Sequence, residues 1–283
     1  AQVGGEALNP EDTSLPTAFP LDGGIVTQVI GDVIGIKARG LHSLFVVTLD
    51  TPSGQLTAAL AAQAARAVGI QMLGVAYAPQ AAADFTPYVQ AAQQSHADVV
   101  WPALLEPWLG QFLAASKTVG AKYVITAAYG AWSPRDIAEL GGAHSPTEGS
   151  IEFGPVPPVT ATAEFPALRT FKSDLDAEWA AGDKDAAPDL RSGGPLMAWV
   201  AVEAIAKVAS TLPSVDSASL LKALRTSPQV DTLGLTPPWT PGRTGPPAFP
   251  RVTNPFGYLT TQQDGVQTLV NPQPINISAG LAG

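Results

Sequence analysis

Three histidines, His42, His96 and His144, and the serines of "TPSGQ" (51–55) and "EGSIE" (148–152) are the residues whose types could do metal or hydrolytic chemistry. The histidines are far apart, and none has a partner at metal-ligand spacing. Neither serine stretch is the G-x-S-x-G turn that exposes a nucleophile between strand and helix. No phosphate-cradling or dinucleotide-binding glycine pattern follows an apolar run. His144, in "GAHSPTEG", is the one histidine retained as a catalytic candidate. The expectation is a protein that is not an enzyme and uses no metal or cofactor.

Recognition chemistry is better placed. In "DVVWPALLEPWLGQFLAASKTVGAKYVI" (98–125) the residues Leu104, Leu105, Glu106 and Trp108 fall between an apolar run and a helical repeat. Tyr129 and Trp132 occupy the same kind of position after the next apolar run, and Thr51 and Ser53 after an earlier one. Such a set suits a ligand with an aliphatic or aromatic body and few polar atoms, each buried carbon contributing about 0.8 kcal/mol. Every member also has a structural reading. Trp108 and Trp132 would equally cap a hydrophobic layer, and Trp101, in mid-strand, reads as core. Glu106 is favoured at a helix start whether or not a ligand is near. Thr51 and Ser53 would satisfy backbone donors in a turn.

The elements that must position these residues follow from periodicity. Short apolar runs at 44–48, 70–77, 98–104, 123–126 and 149–153 read as buried strands. Helices are predicted at about 24–39, at 54–69 with a terminal glycine, at 83–94 with Asp84 as cap, from Pro107 at its first turn, and at 133–142 with Ser133 as cap. Strand and helix alternation describes an open, doubly wound parallel sheet, most simply in strand order 2-1-3-4-5. A Pro-rich stretch, "FGPVPPVTATAEFP" (153–166), precedes helices at 164–181, 194–212 and 217–226 with no strand between them. A Pro- and Gly-rich tail follows, with one strand near 256–261. Leu196, Met197, Val200, Val202, Ile205 and Val208 form an apolar surface that this second half supplies almost no strands to cover.

Composition bounds the rest. The 283 residues, 46% of them apolar, are ample for one large or two ordinary domains. A net charge of -9 would repel a phosphate backbone, so nucleic acid is not an expected partner. The absence of cysteine rules out disulfides and thiolate metal sites and leaves the compartment open. No run approaches the roughly 18 to 20 apolar residues of a membrane span, and "AQVGGEALNPEDTS" has no signal-peptide core.

Several stretches resemble a known family. "NPEDTSLPTAFPLDGG" (9–24) is similar to the segment that first crosses between lobes in the type I periplasmic binding fold, and "SLFVVTLDTPSGQ" to the strand and turn opening its second lobe. "ADFTPYVQAAQQSHADVVWPALLEPWLGQFLAASKTVGAKY" resembles its helix, strand and helix repeat, and "RVTN" with "YLTTQQDG" its closing strand. The resemblance is to the substrate-binding proteins of branched-chain amino acid (Leu/Ile/Val-binding-like) ABC transporters.

It implies an α/β, two-lobed architecture, each lobe a doubly wound, mostly parallel sheet, with lobe 1 incomplete. Residues 1–23 would end a lobe 1 segment and make the first crossover, and 24–154 would be a complete lobe 2. Residues 155–230 would be lobe 1 helices, and 231–283 the third crossover and closing segment. A further N-terminal segment would carry the absent sheet. The implied function is an extracytoplasmic (periplasmic or cell-surface lipoprotein) receptor that closes by a hinge on a small ligand and delivers it to an ABC transporter permease. Relatives place a carboxylate for the ligand's ammonium where this sequence has Tyr129, and aromatic hydroxyls where it has Leu105 and Ser53. These departures disfavour a free amino acid, because an unpaired buried ammonium costs several kcal/mol, and favour an apolar or aromatic, carboxylate-type metabolite. Ser192, in "RSGG", would line the cleft from lobe 1 or cap the helix after it. A ligand-sensing regulatory domain of the same fold and a true branched-chain amino acid binder are the alternatives.

Overall fold

The structure, a computed structural model, describes residues 2–5, 7 and 10–281. In chain order the elements are β1 (Gln2–Val3), β2 (Ala18–Phe19), α1 (Ile25–Ala38), β3 (Ser43–Leu49), α2 (Pro52–Val68), β4 (Gln71–Ala78), α3 (Thr86–Gln94), β5 (Val99–Ala103), α4 (Trp108–Val119), β6 (Val124–Ile125), α5 (Pro134–Glu139) and β7 (Glu152–Gly154). There follow α6 (Ala167–Ala180), α7 (Gly193–Ser210), α8 (Ser217–Thr226), β8 (Phe256–Gln263), β9 (Val266–Leu269), β10 (Ile275–Asn276) and α9 (Ser278–Leu281). Among the described residues no helix is long and apolar enough to cross a membrane. The chain divides into two compact units: unit 1 comprises 1–28, 154–258 and 271–283, and unit 2 comprises 29–153 and 259–270.

Unit 2 is built on a parallel sheet in the order β4-β3-β5-β6. Strand β3, "SLFVVTL", is buried on both faces, which is why it reads as a continuous apolar run rather than an alternating one. Thr51 starts α2 by accepting a hydrogen bond from the Gly54 N–H at 3.0 Å, and Gly69 ends it at φ 81°, a left-handed conformation that glycine adopts without a Cβ penalty. Phe45, Val47, Phe85, Val89, Val100, Leu109, Phe112, Leu113 and Ile125 form the core on the α3 and α4 side. Asp98 ties the start of β5 to that of β3: its Oδ2 accepts from the N–H groups of His42 (2.8 Å) and Ser43 (3.1 Å) and from the Ser43 hydroxyl (3.0 Å).

The predicted order holds for the first four strands; the fifth differs. Of 149–153, only Ile151 bridges the sheet, to Thr126, while β7 runs beside β8. The segment lies between two neighbours: Ile151 N–H donates to Ile125 O on one side, Gly149 N–H donates to Gln262 O on the other, and Glu148 accepts from the N–H groups of Asp264 and Gly265 at the β8–β9 turn. That hairpin, and β10, lie in the stretch read as loop with one strand. Two helix starts also shift. Asp84 accepts from Thr86 N–H at 2.8 Å, but α3 begins at Thr86. Pro107, after a cis Glu106–Pro107 bond, precedes the first residue of α4.

Unit 1 holds the parallel pair β1–β2 and helices α6 to α8. The apolar surface of α7 is more fully covered than its sequence suggests. Leu196, Met197, Val200 and Val208 are buried, Ile205 is half-buried, and Val202 stays 63% exposed. Helices and the N-terminal segment provide the cover in place of a sheet. Trp199 stacks edge-on to Phe171 of α6, and Gly4 lies so close to Ala201 that a Cβ there would overlap its methyl group. Arg191 is buried, pairs with Asp176 at 2.7 Å and donates twice to Ala186 O.

Candidate functional site

Parallel sheets flanked by helices present their loops for chemistry at the carboxyl ends of the strands, where strand order reverses. In unit 2 that place lies between the loops after β3 and β5, flanked by those after β4 and β6. Of the eight residues selected from sequence, Thr51, Leu105, Glu106, Tyr129 and Trp132 sit on these loops, and Ser53 and Trp108 lie in the first turns of α2 and α4 at the same end of the sheet. Ser192 belongs to unit 1, where it occupies the cap position of α7 without donating or accepting a capping bond.

Their accessibility divides them. Leu105 is 77% exposed, Tyr77 at the end of β4 is 40% exposed, and Trp108 is half-buried, its indole N–H donating to Gln80 O at 3.1 Å. Leu105 and Trp108 form the open part of the candidate wall; Tyr77 alternates with Ala76 and Ala78, which pack toward the α3 and α4 side with Trp108, and so points to the other face of the sheet. Leu104, Tyr129 and Trp132 are buried, and Leu104 and Trp132 belong to the core with Leu109, Phe112 and Ile137. Trp132 thus follows the core reading of its position. Glu106 is exposed, its carboxylate lying over the first turn of α4 against Gly110, where a helix start favours negative charge. Thr51 is a cap, and Ser53 is exposed. The loops 49–54, 103–108 and 126–132 together contain two carboxylates, Asp50 and Glu106, and no Lys, Arg or His.

Behind this wall lies a polar cluster that the sequence reading did not select. Asp32 (3% exposed) and Glu152 (0%) are buried with Ser150, Thr126 and Gln262. Asp32 Oδ1 accepts from Phe153 N–H at 2.8 Å, and Glu152 accepts from Gln267 Nε2 at 2.9 Å and from the Ser150 hydroxyl at 3.3 Å. Burial pushes the Glu152 carboxyl up to about 7. It pushes Asp32 well above the usual carboxylate range, with the nearby Glu152 charge acting in the same direction. The Trp132 indole N–H is near enough to Glu152 to favour its ionised form, yet falls outside hydrogen-bond geometry. A sequence signal existed: Asp32 stands alone in the apolar helical repeat "IGDVIG".

No group of three or more His, Cys, Asp or Glu among the described residues could hold a metal ion. In unit 1 a shallow hollow is lined by Arg243, Pro246, Val252, Pro255, Ser278 and Leu281, and it contains none of the residues selected from sequence.

Comparison with known proteins gives a consistent result. The family described as periplasmic binding protein matches residues 8–251. The leucine-, isoleucine-, valine-, threonine- and alanine-binding protein from Brucella ovis, in a closed conformation, aligns with 96% of this chain and 68% of its own, at 14% identity and TM-score 0.73. An ABC transporter solute-binding protein from R. palustris in complex with 4-hydroxybenzoate aligns with 92% of this chain and 67% of its own, at 16% identity and TM-score 0.67. A fatty acid ABC transporter substrate-binding protein from Thermomonospora curvata aligns with 90% of this chain and 64% of its own, at 16% identity and TM-score 0.66. No curated protein sequence matches this chain.

Proposed function

We propose, from the premise that this chain belongs to the periplasmic binding protein family, that it is a solute receptor for a small apolar or aromatic, carboxylate-type metabolite, which it delivers to an ABC importer. The family is one of solute-binding proteins, and membership implies a location outside the cytoplasm. The observation that carries the ligand class is the open apolar pair of Leu105 and Trp108 at the carboxyl end of β5. Exposed side chains of this size at a ligand-facing sheet end would each contribute about 1.5–3 kcal/mol on burial. The neighbours support the same range, being a leucine-, isoleucine-, valine-, threonine- and alanine-binding protein, a solute-binding protein in complex with 4-hydroxybenzoate and a fatty acid transporter substrate-binding protein.

An amino acid ligand would need a carboxylate for its ammonium. The two on these loops, Asp50 and Glu106, are exposed, Asp50 3.5 Å from Gln55 Nε2 and Glu106 over the first turn of its own helix, so neither is buried where an enclosed ammonium would sit. A buried and unpaired ammonium would cancel the gain from the apolar contacts. The test is a thermal-shift screen with valine, leucine, 4-hydroxybenzoate, benzoate and octanoate. A ligand at 100 times its Kd stabilises by about 2.7 kcal/mol. A shift with the aromatic or aliphatic acids that weakens in L105A and W108A supports the reading. A shift with valine or leucine alone, unaffected by both variants, overturns it.

A further inference from the structure

Two carboxyl groups buried in one cluster without a cation are an unusual use of charge. No Lys, Arg or His among the described residues donates to Asp32 or Glu152. Lys37 of α1 is spent on Val68 O, and Arg39 on the carbonyls of Gly149 and Ser150. Glu148 is bound by the N–H groups of Asp264 and Gly265, Asp136 by Ser133, and His144 is exposed. Tyr129 is buried on the neighbouring loop, and Arg135 is exposed on α5. The immediate neighbours of the pair are therefore neutral: amide N–H groups, hydroxyls and carboxamides.

The same cluster contains three buried polar atoms with no partner: Asp32 Oδ2, Trp132 Nε1 and Gln262 Oε1. Two of these are acceptors, which a proton or a water would satisfy, and the third is a donor beside the Glu152 carboxyl. Its position is also distinctive. Asp32, Glu152 and Gln262 each lie within four residues of a point where the chain passes from one unit to the other, at 28/29, 153/154 and 258/259. Trp132 ends the loop after β6, which carries Tyr129.

We propose that Asp32 and Glu152 retain a proton between them at neutral pH, and that its loss shifts the loop of Trp132 and loosens the strand leading out of unit 2. A protonated carboxyl supplies the missing donor: an O–H from either acid can satisfy Asp32 Oδ2 or Gln262 Oε1. Loss of that proton puts two negative charges in one buried cluster: the Trp132 N–H is drawn to the Glu152 charge, and the β7–β8 contact can open to admit water. Burial acts on both groups in the direction that retains the proton. Asp32 and Glu152 are positioning residues in this account. The consequence for binding rests on the solute-receptor reading above, while the proton itself does not.

The experiment is infrared spectroscopy of the full chain in D2O, following the protonated-carboxyl C=O band from pH 5 to 9, with D32N, E152Q and W132F alongside. At about pH 6.5, where exposed Asp and Glu are ionised, wild type keeps such a band and loses it above neutrality; E152Q and D32N change or remove it. No band in wild type at that pH overturns the proposal, and this readout stands if a variant fails to fold. The linked measurement is the pH dependence of binding to whichever probe of valine, 4-hydroxybenzoate and octanoate gives a shift. Affinity falls about fivefold or more between pH 6 and 8 in wild type and less in E152Q. Equal pH dependence in the two overturns the coupling to the wall. Failure of all three probes counts against the receptor reading and leaves the infrared result to decide the proton.

Discussion

Substitution of Gly31 by alanine sets two effects against each other, and the structure says which prevails. Gly31 lies in α1 with ordinary helical backbone, so alanine would gain about 1 kcal/mol of helix propensity. A Cβ at this position, however, would sit inside the ring of Phe153, which is 2% exposed. Phe153 cannot retreat freely, because its N–H is held by Asp32 Oδ1 at 2.8 Å. Overpacking costs about 1–3 kcal/mol, and losing a hydrogen bond to a buried carboxyl about 1.5–3 kcal/mol if the strand moves. The net expectation is destabilisation of unit 2 by about 1–3 kcal/mol, read as a lowered midpoint in urea with little change in slope. The sign should reverse when the ring is removed. In an F153A background, itself costing about 3–5 kcal/mol, G31A should recover about 1 kcal/mol through propensity alone. If G31A is neutral or stabilising in the wild-type background, the contact between α1 and the strand of Phe153 is not as tight as described, and the argument fails.

Three further outcomes are expected. D98A leaves two backbone N–H groups and the Ser43 hydroxyl without their acceptor and should cost about 2 kcal/mol by chemical denaturation. S133A removes a reciprocal cap in which Ser133 accepts from Asp136 N–H and Asp136 accepts from Ser133 N–H; it should cost about 1 kcal/mol and fray α5, seen as faster amide exchange at Ile137. In pH titration, Glu152, whose folded value is raised from 4.5 to about 7, keeps its proton longer in the folded state. Its contribution is therefore greatest below about pH 4.5, falls by about 3 kcal/mol as pH rises to about 7, and is flat above that. Asp98, lowered by its hydrogen bonds to His42 and Ser43, acts in the opposite sense, its contribution being lost as pH falls through its ordinary value. A stability maximum on the acidic side of neutrality that E152Q flattens would agree; a rise from pH 5 to 8 in wild type would refute the assignment.

The parts of the fold that could be read from sequence are those whose partners are near in the chain. The stretch "SLFVVTL" is a strand because every side chain in it can be buried, and Thr51 and Gly69 bound α2 through contacts within a few residues. The order of β4, β3, β5 and β6 follows from alternation and the right-handed crossover. The fifth strand lies beside the fourth as expected, through Ile151 alone, but its other edge pairs with a remote segment. Residues 148–152 meet 262–267, more than a hundred positions away, and nothing local in "EGSIE" announces that partner. The wall fared similarly. Position at a strand end was legible for Leu105, Trp108, Tyr129 and Trp132, but exposure was not: Leu105 and Tyr129 hold similar places after their strands and are 77% and 7% exposed.

Asp32 lies between these cases. Its neighbours one helical turn away, Val29 and Ile36, are 2% and 0% exposed, so the phase of α1 already points the carboxyl inward. An inward carboxyl without a local cation must find a distant donor, hold a proton or remain strained. The helical period therefore poses the question from sequence alone. Only the fold, by bringing Glu152 into the same neutral cluster, supplies a second acid where an ion pair would have needed a base.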